Sequence, residues 1–178
     1  MRVVIEAIEG EFRRGRKLAE GALAQLSDAE LAARHGDSEN SIAIIAWHIG
    51  GNLRSRFTDL LTSDGEKPWR DRESEFQPRS SRAEIMATWD GGWAALEQSL
   101  ATLSDADLTR RITIRGVEMS VVEALQRALA HIALHIGQIV YAGKALKGKD
   151  WQWLTIPPGK SAEYARAPTA ERAPKAGR

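Results

Sequence analysis

Residues 120–146 read SVVEALQRALAHIALHIGQIVYAGKAL, and the spacing of their apolar residues decides the fold. On a wheel at about 100° per residue, Val121, Leu125, Ala128, Leu129, Ile132, Ile136, Ile139 and Val140 share one arc. Glu123, Gln126, Arg127 and Lys144 lie opposite, so the stretch is an amphipathic helix packed by one face, with Ser120 as its N-cap. His131 and His135 stand together at the edge of that arc. Their i, i+4 spacing stacks two imidazoles one turn apart, the arrangement by which helical His-xxx-His pairs chelate a metal. Ala124 and Ala142 share their column, which leaves the space above and below free of large side chains.

Working outward, three further segments carry helical periodicity. Ile42, Ile45, Ala46, Ile49, Leu53, Phe57 and Leu60 form the core arc of a second helix, with Asp37, Ser38, Asn40 and Ser41 as candidate caps. Ile85, Met86, Trp89, Trp93, Leu96, Leu100 and Leu103 mark a third, interrupted by Gly91-Gly92, where close helix packing is one compensation for a pair of weak helix formers. Ile5, Ile8, Phe12, Ala19, Ala22, Leu23 and Leu26 mark the first, and Leu26-Ser27-Asp28 stops it and starts a new turn. The alternation from Arg111 to Val117 around Gly116 predicts a short β-hairpin before the last core helix. The expected fold is all-α, a four-helix bundle with that hairpin.

Two segments fall outside this pattern. From Thr62 to Ser80 the pattern dissolves into DGEKPWRDRESEFQPRS, and a connection of that length is usually functional or disordered. Beyond Trp151, Trp153, Leu154 and Ile156 the chain turns rich in Ala, Pro, Arg and Lys. Residues 1–160 are expected to form one domain, with 161–178 a mobile tail.

Composition removes several functions. The charge is almost even, 25 Lys and Arg against 24 Asp and Glu, which favours neither nucleic acid nor an anionic membrane as partner. The chain has no cysteine, so a disulfide framework, a thiolate cage and a cysteine nucleophile are excluded. Residues 1–17 interleave charges with apolar residues and do not resemble a signal peptide, and no run is apolar enough to span a bilayer. A cytoplasmic location is expected.

His48 sits at the margin of the second helix's arc, beside a polar row of Ser41, Asn52, Ser55 and Asp59 that is either solvated or lines a cavity. Three of the four histidines thus occupy inner helix margins, while His35 reads as an ordinary surface residue. Three neutral imidazoles suit one divalent transition metal, zinc or nickel first and then iron or copper, with a position left open to water or substrate. A histidine at a helix margin is also commonly a hydrogen-bonded structural residue, and spacing does not show the two helices to be neighbours. A metal-free helical dimerisation module therefore stands beside the metal site as a reading.

The motifs Ala46-Trp47-His48-Ile49-Gly50-Gly51-Asn52 and His131-Ile132-Ala133-Leu134-His135-Ile136-Gly137-Gln138 resemble those of the DinB or YfiT-like superfamily of metal-binding four-helix bundles. Ser55-Arg56-Phe57-Thr58-Asp59, Asp64-Gly65-Glu66-Lys67-Pro68-Trp69 and the closing stretch from Trp151 to Ser161 look most like a branch designated a domain of unknown function. The resemblance covers the chain to about Ser161 and implies that His48, His131 and His135 bind a divalent metal. It further implies a homodimer, and a transferase or isomerase using a low-molecular-weight thiol and an electrophile. An open divalent site lowers the pKa of a bound thiol, so a thiolate forms at neutral pH without a protein cysteine. The same site can instead activate water for hydrolysis, or stiffen a non-catalytic, stress-related interaction protein.

Position nominates further pocket residues. Asn52 is one turn from His48, Gln138 lies just beyond His135, and Arg56 falls inside the apolar arc. Arg56 either recognises an anionic group or pairs with an acidic residue of the Asp64 to Glu75 loop. The Trp69 to Phe76 segment is a candidate lid with Trp151 or Trp153 opposite it, or these tryptophans only seal the bundle's end. Ile44 and Trp47, on a flank of the second helix away from the core arc, are expected to be available for self-association.

Overall fold

The computed structural model describes residues 1–34 and 40–169, so the expectations for His35, Asp37 and Ser38 lie outside the described residues. Four long helices carry the fold: α1 (Val3–Leu23), α3 (Ile42–Phe57), α4 (Arg82–Thr102) and α5 (Val121–Lys147). A short α2 (Asp28–Ala32) follows α1, strands β1 (Arg111–Ile114) and β2 (Val117–Ser120) precede α5, and α6 (Ser161–Tyr164) lies near the end. The chain is thus mostly helical with one small antiparallel hairpin, in which Arg111 pairs with Ser120 and Ile114 with Val117. Among the described residues no helix is long and apolar enough to cross a membrane.

Local chemistry sets most of these boundaries. Ser41, Ser81 and Ser120 cap α3, α4 and α5 by accepting from the backbone N–H three residues on. Ser27 with Glu30, and Ser120 with Glu123, complete capping boxes. The repeated Leu-Ser-Asp stops end α1 and α4, the second leading into a 3-10 turn over Asp105–Thr109. That turn also ties the ends of α1 and α4 together. Asp105 accepts from the Val4 and Ile5 N–H groups at 3.1 Å, and Arg2 donates to the Leu103 and Leu100 carbonyls at 2.9 Å, so each helix end is satisfied by the other.

The core lies between α1, α3, α4 and α5, with α3 packed on α4, α1 on α5, and α3 also on α5. Trp89 and Trp93 are fully buried in it, and Phe12 meets Phe57 and Trp93 edge to face with centroids 6.4 Å apart. Where α3 meets α4, backbone lies on backbone. A Cβ on Gly50 would come within 3.0 Å of the Thr88 carbonyl, and one on Gly92 within 3.0 Å of the Gly50 carbonyl. Gly92 is therefore required by close packing, whereas a Cβ on Gly91 would meet nothing within 4 Å.

The flank of α3 expected to be free is covered. Ile44 is only 1% exposed, and Arg79 lies over the Trp47 ring at 4.2 Å, so neither offers an open docking surface. The segment 58–81, which includes a 3-10 turn at Glu73–Phe76, is ordered by polar contacts. Asp64 accepts from the N–H groups of Glu66, Arg115 and Gly116 at 2.7–2.8 Å, and these bonds hold its carboxyl well below the usual carboxylate range. Arg115 and Gly116 both have positive φ, 56° and 72°, the tight hairpin turn that aims two N–H groups at one carboxylate.

The two adjacent glycines of α4 should respond oppositely to alanine. Gly92→Ala is expected to destabilise by about 1–3 kcal/mol through overpacking, while Gly91→Ala should be neutral or stabilise by up to about 1 kcal/mol. Chemical denaturation of the two variants checks this, and equal effects would contradict the packing described.

Candidate metal centre

His48 is carried by α3 and is 5% exposed, while His131 and His135 sit half-buried on α5 where that helix faces α3. The packing of α3 on α5 therefore brings together two motifs more than eighty residues apart in the chain. His131 Nε2 lies 3.4 Å from His48 Nε2 and 3.1 Å from His135 Nε2, and one ring nitrogen from each residue falls within 4.8 Å of the others. Two imidazole nitrogens that share a zinc-like ion at about 2.0–2.1 Å in tetrahedral geometry stand about 3.3 Å apart. The three residues can thus hold a metal ion with little movement.

The outward nitrogens of two rings have partners that leave Nε2 as the free donor. His48 Nδ1 donates to Glu75 Oε2 at 2.8 Å, and His135 Nδ1 donates to Gln138 Oε1 at 2.7 Å. In a neutral imidazole the nitrogen without the proton carries the lone pair, so both rings direct a ligand atom inward. Phe76 stacks on His48, 5.4 Å between centroids and 29° between planes.

Electrostatics also favour the neutral form of the two α5 imidazoles. Burial, reinforced by His135 and His48 and by the charges of Arg70 and Arg56, pushes His131 down to about 4. Burial lowers His135 as well, against the opposing hydrogen bond to Gln138. Burial alone would raise Glu75, but its bonds to His48 and Arg70 outweigh that and hold it below its ordinary value.

Of the other residues singled out by position, Gln138 touches the site through His135, and Asn52 is buried one turn beyond His48. Arg56 is engaged elsewhere: its guanidinium pairs with Glu66 at 3.0 Å and donates to the Gly65 carbonyl, so it is committed to the connecting segment and not to an external anion. Trp69 is half exposed beneath Arg54, and the aromatic ring that reaches the histidines is Phe76. Trp153 lies under Lys144, which is about 13 Å along α5 from His135 at 1.5 Å per residue, too far to line the site. Trp151 packs over Gly143 at the same end of the molecule. The polar row on α3 also divides: Ser41 is a helix cap, and Ser55 donates to the Gly65 carbonyl at 2.8 Å.

Glu75, Arg70 and Phe76 lie within the candidate-lid segment Trp69 to Phe76, but reading by pattern does not single them out as the residues that reach the histidines. They lie in the aperiodic connection, where no repeat marks a face. The available signal is compositional, the charged run Arg70-Asp71-Arg72-Glu73-Ser74-Glu75.

Fold and site together define a class: mostly helical chains with one hairpin and a three-histidine cluster between two helices. Residues 2–160 match the model of the family described as "Protein of unknown function (DUF1572)", and the chain belongs to that family. Among solved structures it is similar to "Crystal structure of the conserved protein of locus from Enterococcus faecalis", at 18% identity and a TM-score of 0.60. That match covers 84% of this chain and 99% of the other, and the likeness is one of fold alone. No curated protein matches.

The depressed His131 has a consequence for the metal-free protein. The unfolded chain takes up this proton below about 6.5 and the folded chain only near 4, so stability rises with pH between the two and is lost as pH falls. Thermal melts of chelator-treated protein from pH 7 to 4 should show a falling Tm, and His131→Ala should flatten that slope. An equally steep slope in the variant would contradict the assignment.

Proposed function

We infer that this chain is a four-helix bundle of the DinB or YfiT-like kind that binds one divalent transition metal through His48, His131 and His135. The observation that carries this reading is the convergence of three imidazole nitrogens at 3.1 and 3.4 Å spacing, all on helices and two of them held by outer hydrogen bonds. Three neutral nitrogen donors suit zinc or nickel before iron. His131 and His135 keep part of their surface in solvent, which leaves a side of the site from which a small molecule can approach.

The reaction this arrangement suits best is transfer of a low-molecular-weight thiol to an electrophile. A divalent ion held by His48, His131 and His135 would supply the Lewis acidity that favours the thiolate form of a small thiol at neutral pH. The chain's own part is to hold the ion open on one side, to keep competing protons off His131 and His135, and to cover the His48 side with Phe76. The absence of cysteine means that the sulfur comes from outside. Its lone pair then forms the new bond to carbon as the electrophile's leaving group departs.

Elemental analysis of protein purified without a histidine tag should find close to one metal per chain. His131→Ala and His135→Ala should remove it, and His48→Ala should weaken it strongly. Unchanged occupancy in all three variants would exclude the site. Steady-state assays with a panel of small thiols and electrophiles should then show turnover that a chelator abolishes. Metal retention with no metal-dependent turnover would leave a binding protein and reject the transferase.

A further inference from the structure

The connection between α3 and α4 buries an ion pair that the ligand set does not require. Glu75 and Arg70 have side-chain exposures of 4% and 2%. Arg70 donates from Nε to Glu75 Oε1 at 2.7 Å and from Nη2 to Oε2 at 2.9 Å, a two-point clamp on the carboxylate. The same Oε2 accepts from His48 Nδ1 at 2.8 Å. The helix beneath is shaped to admit this group. A Cβ on Gly51 would lie within 3.0 Å of Glu75 Oε1 and at 3.0 Å from its Cδ, and would meet no other residue closely. Of the adjacent glycines in α3, Gly50 makes room for α4 and Gly51 makes room for a carboxylate.

We propose that Glu75, clamped by Arg70, is the positioning residue for His48, so that the α3–α4 connection sets how tightly the three-histidine site holds its ion. This rests on the metal reading above. A carboxylate on the outer nitrogen of a ligating histidine fixes the tautomer, holds the ring plane and raises the basicity of the donor nitrogen. Arg70 fixes both oxygens and so keeps the carboxylate from turning away from the ring. Gln138 gives His135 a neutral acceptor on an exposed part of α5, so the two helices contribute unequally.

The test titrates chelator-treated, untagged protein with Zn(II) and Co(II) against a chromophoric chelator, for the parent chain and for Glu75→Ala, Glu75→Gln and Gly51→Ala. Glu75→Ala should lose about 10–100-fold in affinity. Glu75→Gln should lose less, because its amide oxygen still accepts the Nδ1 proton. Gly51→Ala alters no ligand and no charge and improves the helix, yet it displaces the carboxylate. It should therefore weaken binding and shift the Co(II) ligand-field bands, whatever its effect on Tm. A purely structural role would move Tm and leave affinity and spectrum alone. Affinities of Gly51→Ala and Glu75→Ala within about twofold of the parent, well short of the expected loss, would overturn the proposal. If Glu75→Ala fails to fold, Gly51→Ala and Glu75→Gln decide on the same criterion. A parent chain that binds neither ion would overturn the metal reading itself, a result seen before any variant is made.

Discussion

The contact on which the structure depends is the approach of α3 to α4 through Gly50 and Gly92, backbone against backbone. Protein interiors are close-packed, and the depth to which one helix sinks against another is set by the smallest side chains between them. His48 lies two residues before Gly50, so that depth also decides where its ring stands relative to α5. With α3 seated, the apolar arc of α5 docks on α1 and α3 and turns His131 and His135 toward His48. Packing thus assembles the site, and no local sequence interaction between the two motifs is needed.

A second layer of order is electrostatic. From the hairpin turn to the histidines runs a chain of shared charges: Arg115 and Arg56 bond Glu66, Arg70 approaches Glu66 at 3.6 Å, and Arg70 clamps Glu75, which reaches His48. Glu66 serves three arginines, and Glu75 serves Arg70 and the His48 N–H, which offsets the cost of partial burial better than isolated pairs do. This explains how the connecting segment stays ordered with few apolar residues. It also ties the small hairpin to the site, alongside the backbone N–H groups of Arg115 and Gly116 that bond Asp64.

The helices were legible because burial on one face imposes a 3.6-residue period, and the serine caps and Leu-Ser-Asp stops mark their ends chemically. His48, His131 and His135 were legible for the same reason, each being a polar residue at the edge of an apolar arc. What periodicity cannot convey is what covers a given flank from outside the helix. Trp47 reads as open because Arg79 is remote from it in sequence, and of the two expectations for Arg56 the fold supplies the ion pair with an acidic residue of the connecting loop, Glu66. Of the two expectations for Trp153, lining the site or covering the bundle's end, the chain takes the second: it leaves α5 through a positive-φ Gly148 and packs at the helix end, a path with no periodic mark. Glu75 was missed because a carboxylate in a loop has no face until the loop folds.

X-ray absorption at the zinc edge of the reconstituted, untagged protein tests the central claim most directly. The account predicts a nitrogen shell at about 2.0–2.1 Å with the outer scattering of three imidazole rings, completed by a light exogenous ligand. A spectrum that fits one imidazole or none, with the shell made up of carboxylate and water oxygens, would contradict it.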